Sequence, residues 1–245
     1  MSNIDEVSRE QKVIEFWLLT TKLKNTIRSG WLKWNVSRER LESVAEHVYG
    51  TQMLAIAIYS EFQDRYQNLD IMKVLYMIAI HEVGETIIGD KTQFDIPKEL
   101  KREIELSAVK AVFSPLAMGP RLLELYTEFE GITVDGKELE KMSDEAIFAK
   151  HCDHLECDLQ SKVYDQEGLI DVFNQKGNNA AKNELVVELL KKHNNSFSKM
   201  WLEFGQVVYG YTDDIVSISK HAMYHRLQIP EFELKHREFI RKKVA

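Results

Sequence analysis

Proline and glycine are scarce in this chain, at 4 and 11 of 245 residues. With so few breakers there is little room for the strand-and-turn alternation of a sandwich or barrel, and helices are favoured. Cysteine is nearly absent: Cys152 and Cys157 are the only two, with four residues between them on one expected helix. That excludes a disulfide framework and fits reduced thiols in a cytoplasmic protein. Basic charge is not in surplus, since 32 Lys and Arg stand against 39 Asp and Glu for a net charge of −7. A nucleic-acid polymer is therefore not an expected partner, because its binders carry a basic footprint. No apolar run approaches the roughly 20 residues that span a bilayer, so no membrane partner is expected. The opening stretch, MSNIDEVSREQ, has neither the basic nor the apolar region of a secretion signal, and the expected location is the cytoplasm. A small anionic substrate stays open, because a bound metal can supply local positive charge.

What is present suits a globular, all-α protein, with 44% apolar and 29% charged residues. Neither an internal repeat nor a low-complexity linker divides the chain, so one domain over 1–245 is expected. A first amphipathic helix is predicted over 9–27. Ser43 with Glu46 reads as a capping box opening a helix to about Phe62. On it Val44, His47, Val48, Thr51, Ala55, Ile58 and Phe62 recur every three or four residues, which puts His47 on the buried stripe. Asp70 caps the next helix, predicted over 71–88. Pro97 can open another to about Phe113. Further helices are predicted over 120–129 and 143–164, and two more over 179–206 and 212–225. The Asp135-Gly136 pair in EGITVDGKEL marks a turn, as a small hairpin or a plain loop.

The stretch IAIHEVGETIIGD, 78–90, sets ionisable groups on a greasy helix. Its stripe Ile71, Val74, Leu75, Ile78 runs on into His81, Glu82 and Glu85. Burying unpaired charge is costly, so these side chains need water or a shared partner. Asp153 lies at the core edge of the helix over 143–164. Two histidines on separate buried stripes, an adjacent carboxylate and a distant aspartate suggest a metal site, and imidazole with carboxylate suits Mn, Fe, Co or Zn. The plainer alternative also stands at this point: a histidine on an apolar face is more often a hydrogen-bonded core residue, and a rotated helix would turn Glu82 and Glu85 to solvent.

His47, then the pair His81-Glu82, then Asp153 resembles the H…HD…D signature of the HD-domain metal-dependent phosphohydrolases. ESVAEHVYG, IAIHEVGETIIGD and EAIFAKHCDHLECDLQ are similar, in order, to three blocks of one branch, the YfbR-type 5′-deoxynucleotidases and their eukaryotic HD-domain relatives. The similarity spans about 23–165 and includes RSGWLKWNV and IPKELKREIE; the C-terminal helices, about 170–245, rest on periodicity alone.

The resemblance implies an HD-domain helical bundle and a divalent cation (Mn, Co, Fe, Zn or Mg) held by His47, His81, Glu82 and Asp153. Glu82 departs from the pattern, which has aspartate there. Glu85 matches the glutamate that positions or activates the attacking water, and Asp90 the aspartate associated with nucleotide binding and proton transfer. Arg28 and Trp31 match the arginine and tryptophan that contact phosphate and sugar, with Arg38 and Arg40 as rival phosphate ligands. The implied reaction is removal of the 5′-phosphate from a nucleoside monophosphate, with deoxyribonucleotides preferred. The rivals are another HD reaction (on a nucleoside triphosphate, cyclic nucleotide or alarmone) and a catalytically weak helical binding or regulatory module. By analogy a homodimer is expected. His151 and His154 flank Asp153 but point in other helical directions, so neither is expected to be a ligand. Trp201, Tyr209 and Tyr211 read as core or dimer-contact residues, and KELKRE as a solvated helix face.

Overall fold

The computed structural model describes residues 7–92 and 94–244. Among them are helices and loops, with two isolated antiparallel bridges, Ile27 with Ser43 and Ile132 with Glu138, and no longer strand pairing. The chain opens with α1 (Arg9–Thr20), a 3-10 turn at Thr21–Lys24 and the short α2 (Ser29–Lys33). Side chains then set the helix starts. Ser43 and Glu46 form the reciprocal capping box that opens α3 (Val44–Glu61). Asp70 accepts from the Lys73 backbone and opens α4 (Ile71–Ile80), which is followed by the short α5 (Glu85–Ile88). Next come α6 (Lys98–Phe113) and α7 (Gly119–Glu130). Ser143 caps the 23-residue α8 (Asp144–Gln166), with Asp144 and Glu145 in the first turn where the helix dipole favours them.

α8 is the hub. It packs against α3, α4 and α7 on one side and against α10 (Phe197–Val208) and α11 (Asp213–Tyr224) on the other; α9 (Glu184–Lys192) packs on α10, and α12 (Glu231–Val244) ends the chain. Two apolar clusters flank the same helix. Val74, Met77, Ile78, Phe113, Phe129 and Leu155 belong to the larger one. Trp34, Tyr164, Val186, Phe197 and Phe204 belong to the second, which joins α2 to the C-terminal helices. Between them lies the site.

Three predicted helices are shorter than the periodicity suggested. α1 gives way to a 3-10 turn after Thr20, where the hydroxyls of Thr20 and Thr21 bond back to the Phe16 and Leu18 carbonyls. The helix predicted over 71–88 breaks at residues 81–84. Gly84 sits in that break against α6: a Cβ there would lie 3.1 Å from Val109 Cγ2 and 3.5 Å from the Glu105 carbonyl. The segment 179–206 holds α9 and α10 rather than one helix, because Asn194 and Asn195 take positive φ of 52° and 63°, a conformation asparagine tolerates better than most residues. The Asp135-Gly136 turn is present, with Gly136 at φ +87°. Both cysteines are free, and among the described residues no helix is long and apolar enough to cross a membrane.

Candidate metal centre

The break after Ile80 determines how His81 is presented. As the cap of α4 its ring turns back, and Nδ1 lies 2.7 Å from the Ile78 carbonyl, which makes Nδ1 the protonated nitrogen. Nε2 then presents its lone pair, buried and without a hydrogen-bond partner among the described residues. His47, fully buried on α3, is held the same way: its Nδ1 lies 2.6 Å from Glu156 Oε2. Glu156 reaches that position because residue 50 is glycine, since a Cβ on Gly50 would lie 2.5 Å from Glu156 Oε1. A glycine inside a helix is unfavourable, and here it makes room for the carboxylate that orients the imidazole.

Both Nε2 atoms converge on Asp153 from α8. His47 Nε2 lies 2.8 Å and His81 Nε2 3.5 Å from Asp153 Oδ1, and the three donor atoms fall within 4.8 Å of one another. Glu82 Oε1 approaches the same two nitrogens at 3.9 and 3.7 Å and also accepts from Arg28 Nη1 at 2.8 Å. Two imidazole lone pairs facing a carboxylate repel one another unless a proton or a cation lies between them. Burial would raise both carboxyls, but His47 and His81 hold Asp153 well below the usual range, and His81, Arg28 and His47 bring Glu82 down to about 2. Burial opposes charge on the rings, yet Cys157 and Asp153 push the His47 imidazole up, and Glu82 and Asp153 push up that of His81, so without an ion protons fill this gap. A divalent cation would take the place of those protons, and carboxylates with imidazoles are the donor set of a borderline one. The orphaned Nε2 of His81 is the buried polar atom such an ion would satisfy, so the residues fit it.

Beside the cluster opens a cavity of about 310 Å³, to which Arg28, Trp31, Glu82, Glu85, Asp90 and Asp153 all contribute. The Ile27–Ser43 bridge ties the start of α2 to that of α3 and brings Arg28 over Glu82, with Arg28 Nη2 3.0 Å from Cys157 Sγ. Trp31 is fixed by a 2.7 Å bond from its indole nitrogen to Glu42 and by an edge contact on Tyr164. Asp90 follows Gly89 (φ +69°), which ends α5, and accepts from the Ser29 backbone nitrogen. Glu85 is buried, with one carboxylate oxygen unpartnered among the described residues. Burial, with the charges of Glu82 and Asp90, pushes its carboxyl well above the ordinary range.

The rival arginines lie outside the cavity: Arg38 pairs with Glu167 at 3.5 Å, and Arg40 is exposed beside Glu46. His151 packs edge-on against Tyr211. His154 lines the cavity but stacks on Tyr209, where burial lowers its pKa to about 4. Four residues near the site escaped the sequence reading. Glu156 lies one turn beyond Asp153 on the same helix face, a spacing that could have flagged it. Lys101 lies within KELKRE, whose mixed charges read as solvated, yet it lines the cavity while 3.3 Å from Glu105. Trp201 and Tyr209 also line the cavity, whereas Tyr211 is core as expected.

Fold and site together define an all-α protein with a buried His, His, Asp cluster at the edge of a substrate-sized cavity. A match to the HD domain family covers residues 20–185. A 5′-deoxynucleotidase of Dictyostelium discoideum is 29% identical over 159 residues, 63% of this chain and 78% of that protein. A Pyrococcus horikoshii crystal structure is 26% identical, with a TM-score of 0.53, covering 76% of this chain and 99% of its own. A Magnetospirillum magnetotacticum structure, described as a predicted metal-dependent phosphohydrolase, shares the fold at 20% identity and a TM-score of 0.50, over 89% of this chain and 99% of its own. The chain belongs to the HD-domain family of metal-dependent phosphohydrolases.

Glu82, where the resemblance leads us to expect aspartate, has a role the geometry makes testable, because its carboxylate faces both the imidazoles and Arg28. Glu82→Ala should weaken metal binding by about tenfold or more in a chelator competition. Glu82→Asp should keep part of the affinity and activity. Unchanged affinity in the alanine variant would reduce Glu82 to a counter-ion for Arg28.

Proposed function

We propose that this protein hydrolyses nucleoside 5′-monophosphates, with 2′-deoxyribonucleotides preferred, to nucleoside and inorganic phosphate. The observation that carries the reading is one cavity in which Arg28 and Glu85 stand beside the His47, His81 and Asp153 cluster. The described activity of the Dictyostelium relative supports the choice of substrate. In this reading His47, His81, Asp153 and Glu82 hold the divalent cation, which when bound polarises a phosphoryl oxygen and lowers the pKa of water. Arg28 offers the phosphate the two parallel donors of a planar fork. Glu85, pushed up by burial, is a stronger base than an exposed glutamate; in its ionised form, which the charge of a bound cation would favour, it takes the proton of the attacking water. Trp31 packs against the sugar, and Asp90, anchored on the Ser29 backbone, orients the nucleotide and relays the proton.

The same proposal takes the chain as one domain, with α9 to α11 packed on α8 and its neighbours. It places the protein in the cytoplasm, as a homodimer. The exposed Val13, Ile14, Trp17 and Leu18 of α1, a helix without a buried residue, support the pairing.

Inorganic phosphate should be released from 5′-monophosphates and not from 3′-monophosphates, with activity restored by adding divalent metals to chelator-treated protein. Pyrophosphate as the product from triphosphates, with no turnover of monophosphates, would favour a different HD reaction.

A further inference from the structure

The cavity is lined by two chemically different sets of side chains. Beside the charged residues stand Trp34, Phe94, Trp201 and Tyr209. Trp201, on α10, and Tyr209, just after α10, lie beyond residue 185, where the HD match ends. The C-terminal helices therefore add an aromatic wall to a site whose charged residues come from the HD region. The wall is braced. Trp201 meets Trp34 at 6.0 Å and 84° and Phe94 at 6.4 Å and 58° between ring centroids and planes. Tyr209 is stacked on His154 at 3.6 Å and 7°.

One polar group on this wall lacks a partner. The indole nitrogen of Trp201 is buried and has no acceptor among the described residues. Buried indole N–H groups normally find an acceptor, and a donor left unmatched is a cost that a ligand can relieve. The amide of Asn178, which also lines the cavity, is already engaged. Its Nδ2 donates to Gln175 at 2.9 Å, and its Oδ1 accepts from the Ala180 backbone at 3.0 Å. The lining thus suits a ligand that has an anionic group and a flat, aromatic part able to accept an in-plane hydrogen bond.

We propose that Trp201, Phe94 and Tyr209 form a nucleobase subsite in which the Trp201 indole N–H donates to a ring nitrogen or carbonyl of the base. The choice of ligand rests on the nucleotide reading given above. Every base has a π face to lay against the rings, and the added donor makes binding depend on where the base carries its acceptor. Turnover of a nucleotide should then exceed that of a 5-phosphorylated pentose without a base.

Calorimetry with free thymidine and 2′-deoxyadenosine, set beside inorganic phosphate, tests the subsite without requiring turnover. Wild-type protein should bind at least one of the nucleosides. Trp201→Phe, which keeps a ring and removes the donor, should weaken that binding about tenfold, the scale of one lost hydrogen bond, and leave phosphate binding unchanged. Phe94→Leu should weaken nucleoside binding too, and carries the test if the Trp201 variant does not fold. No nucleoside binding by wild type, or equal binding by the folded variants, would overturn the subsite. Nucleoside binding without phosphate release from any 5′-monophosphate would leave the subsite standing and remove the phosphomonoesterase reading. Phosphate release without nucleoside binding would do the reverse.

Discussion

A His81→Ala protein should be isolated without stoichiometric divalent metal and should release phosphate only at background rate, while its helical content stays that of the wild type. The expectation follows from how His81 is held. Among the described residues its hydrogen bond is from Nδ1 to the Ile78 carbonyl, 2.7 Å away, at the C-terminal end of α4. Losing that bond costs the fold about 1 kcal/mol, which a 245-residue helical protein can absorb. The opposite edge of the ring is different. Its Nε2 faces Asp153 and Glu82 at 3.5 and 3.7 Å with no hydrogen-bond partner among the described residues, a geometry that contributes little until an ion occupies it. Removing a residue that merely supports a ligand lowers metal affinity by roughly 10- to 100-fold, so removing a ligand should exceed that. Metal at one equivalent in the purified variant would eliminate this cluster as the binding site.

Glu85→Gln is expected to keep its metal and to lose turnover by about a hundredfold or more, as removal of a proton acceptor does. The substitution preserves shape, so a change in kcat without a change in metal content isolates the proton. A second measurement separates this role from packing. Burial and the charges of Glu82 and Asp90 raise the Glu85 carboxyl in the folded protein. Above the ordinary glutamate value of about 4.3, the folded protein therefore holds a proton that the unfolded chain releases. Stability is undiminished below that value and falls as pH rises towards the raised folded value. Glutamine carries no such penalty. In chelator, Glu85→Gln should melt above wild type at pH 8, and the difference should shrink at pH 5. Equal melting at both pH values, with unchanged turnover, would make Glu85 a passive carboxylate.

Periodicity and caps carried much of the architecture. The stripe that put His47 inside α3 is buried as read, at Val44, His47, Thr51, Ala55 and Ile58, because the Ser43 box starts the helix in register. The departures have local causes. A helix continued through 81–88 would have placed Glu85 one regular turn beyond His81; the break at Gly84 instead turns both side chains inward through a tighter bend, with the Glu85 nitrogen bonded to the Glu82 carbonyl at 3.0 Å. No periodic pattern announces that break, since it answers to the close approach of α6. Glu156 and Lys101 were hidden for a related reason. Each lies among charged neighbours, and only the fold decides which of those charges faces His47 or the cavity. Trp201 and Tyr209 looked like core residues because aromatic rings on an amphipathic helix usually are. It is the packing of α10 on α8 that brings them to the cavity instead.

His47 also offers a competing arrangement, since its Nδ1, Glu156 and Cys157 lie within 4.8 Å of one another on the other side of the ring. Neighbouring donors of that kind can bind adventitious metal, so the position of the ion is the central question. Crystals of the protein grown with Mn or Co, measured at the absorption edge of the metal, locate it directly by anomalous scattering. The account predicts one strong peak in contact with His47 Nε2, His81 Nε2 and the Asp153 carboxylate. A peak between His47 Nδ1, Glu156 and Cys157, with the first position empty, would contradict it.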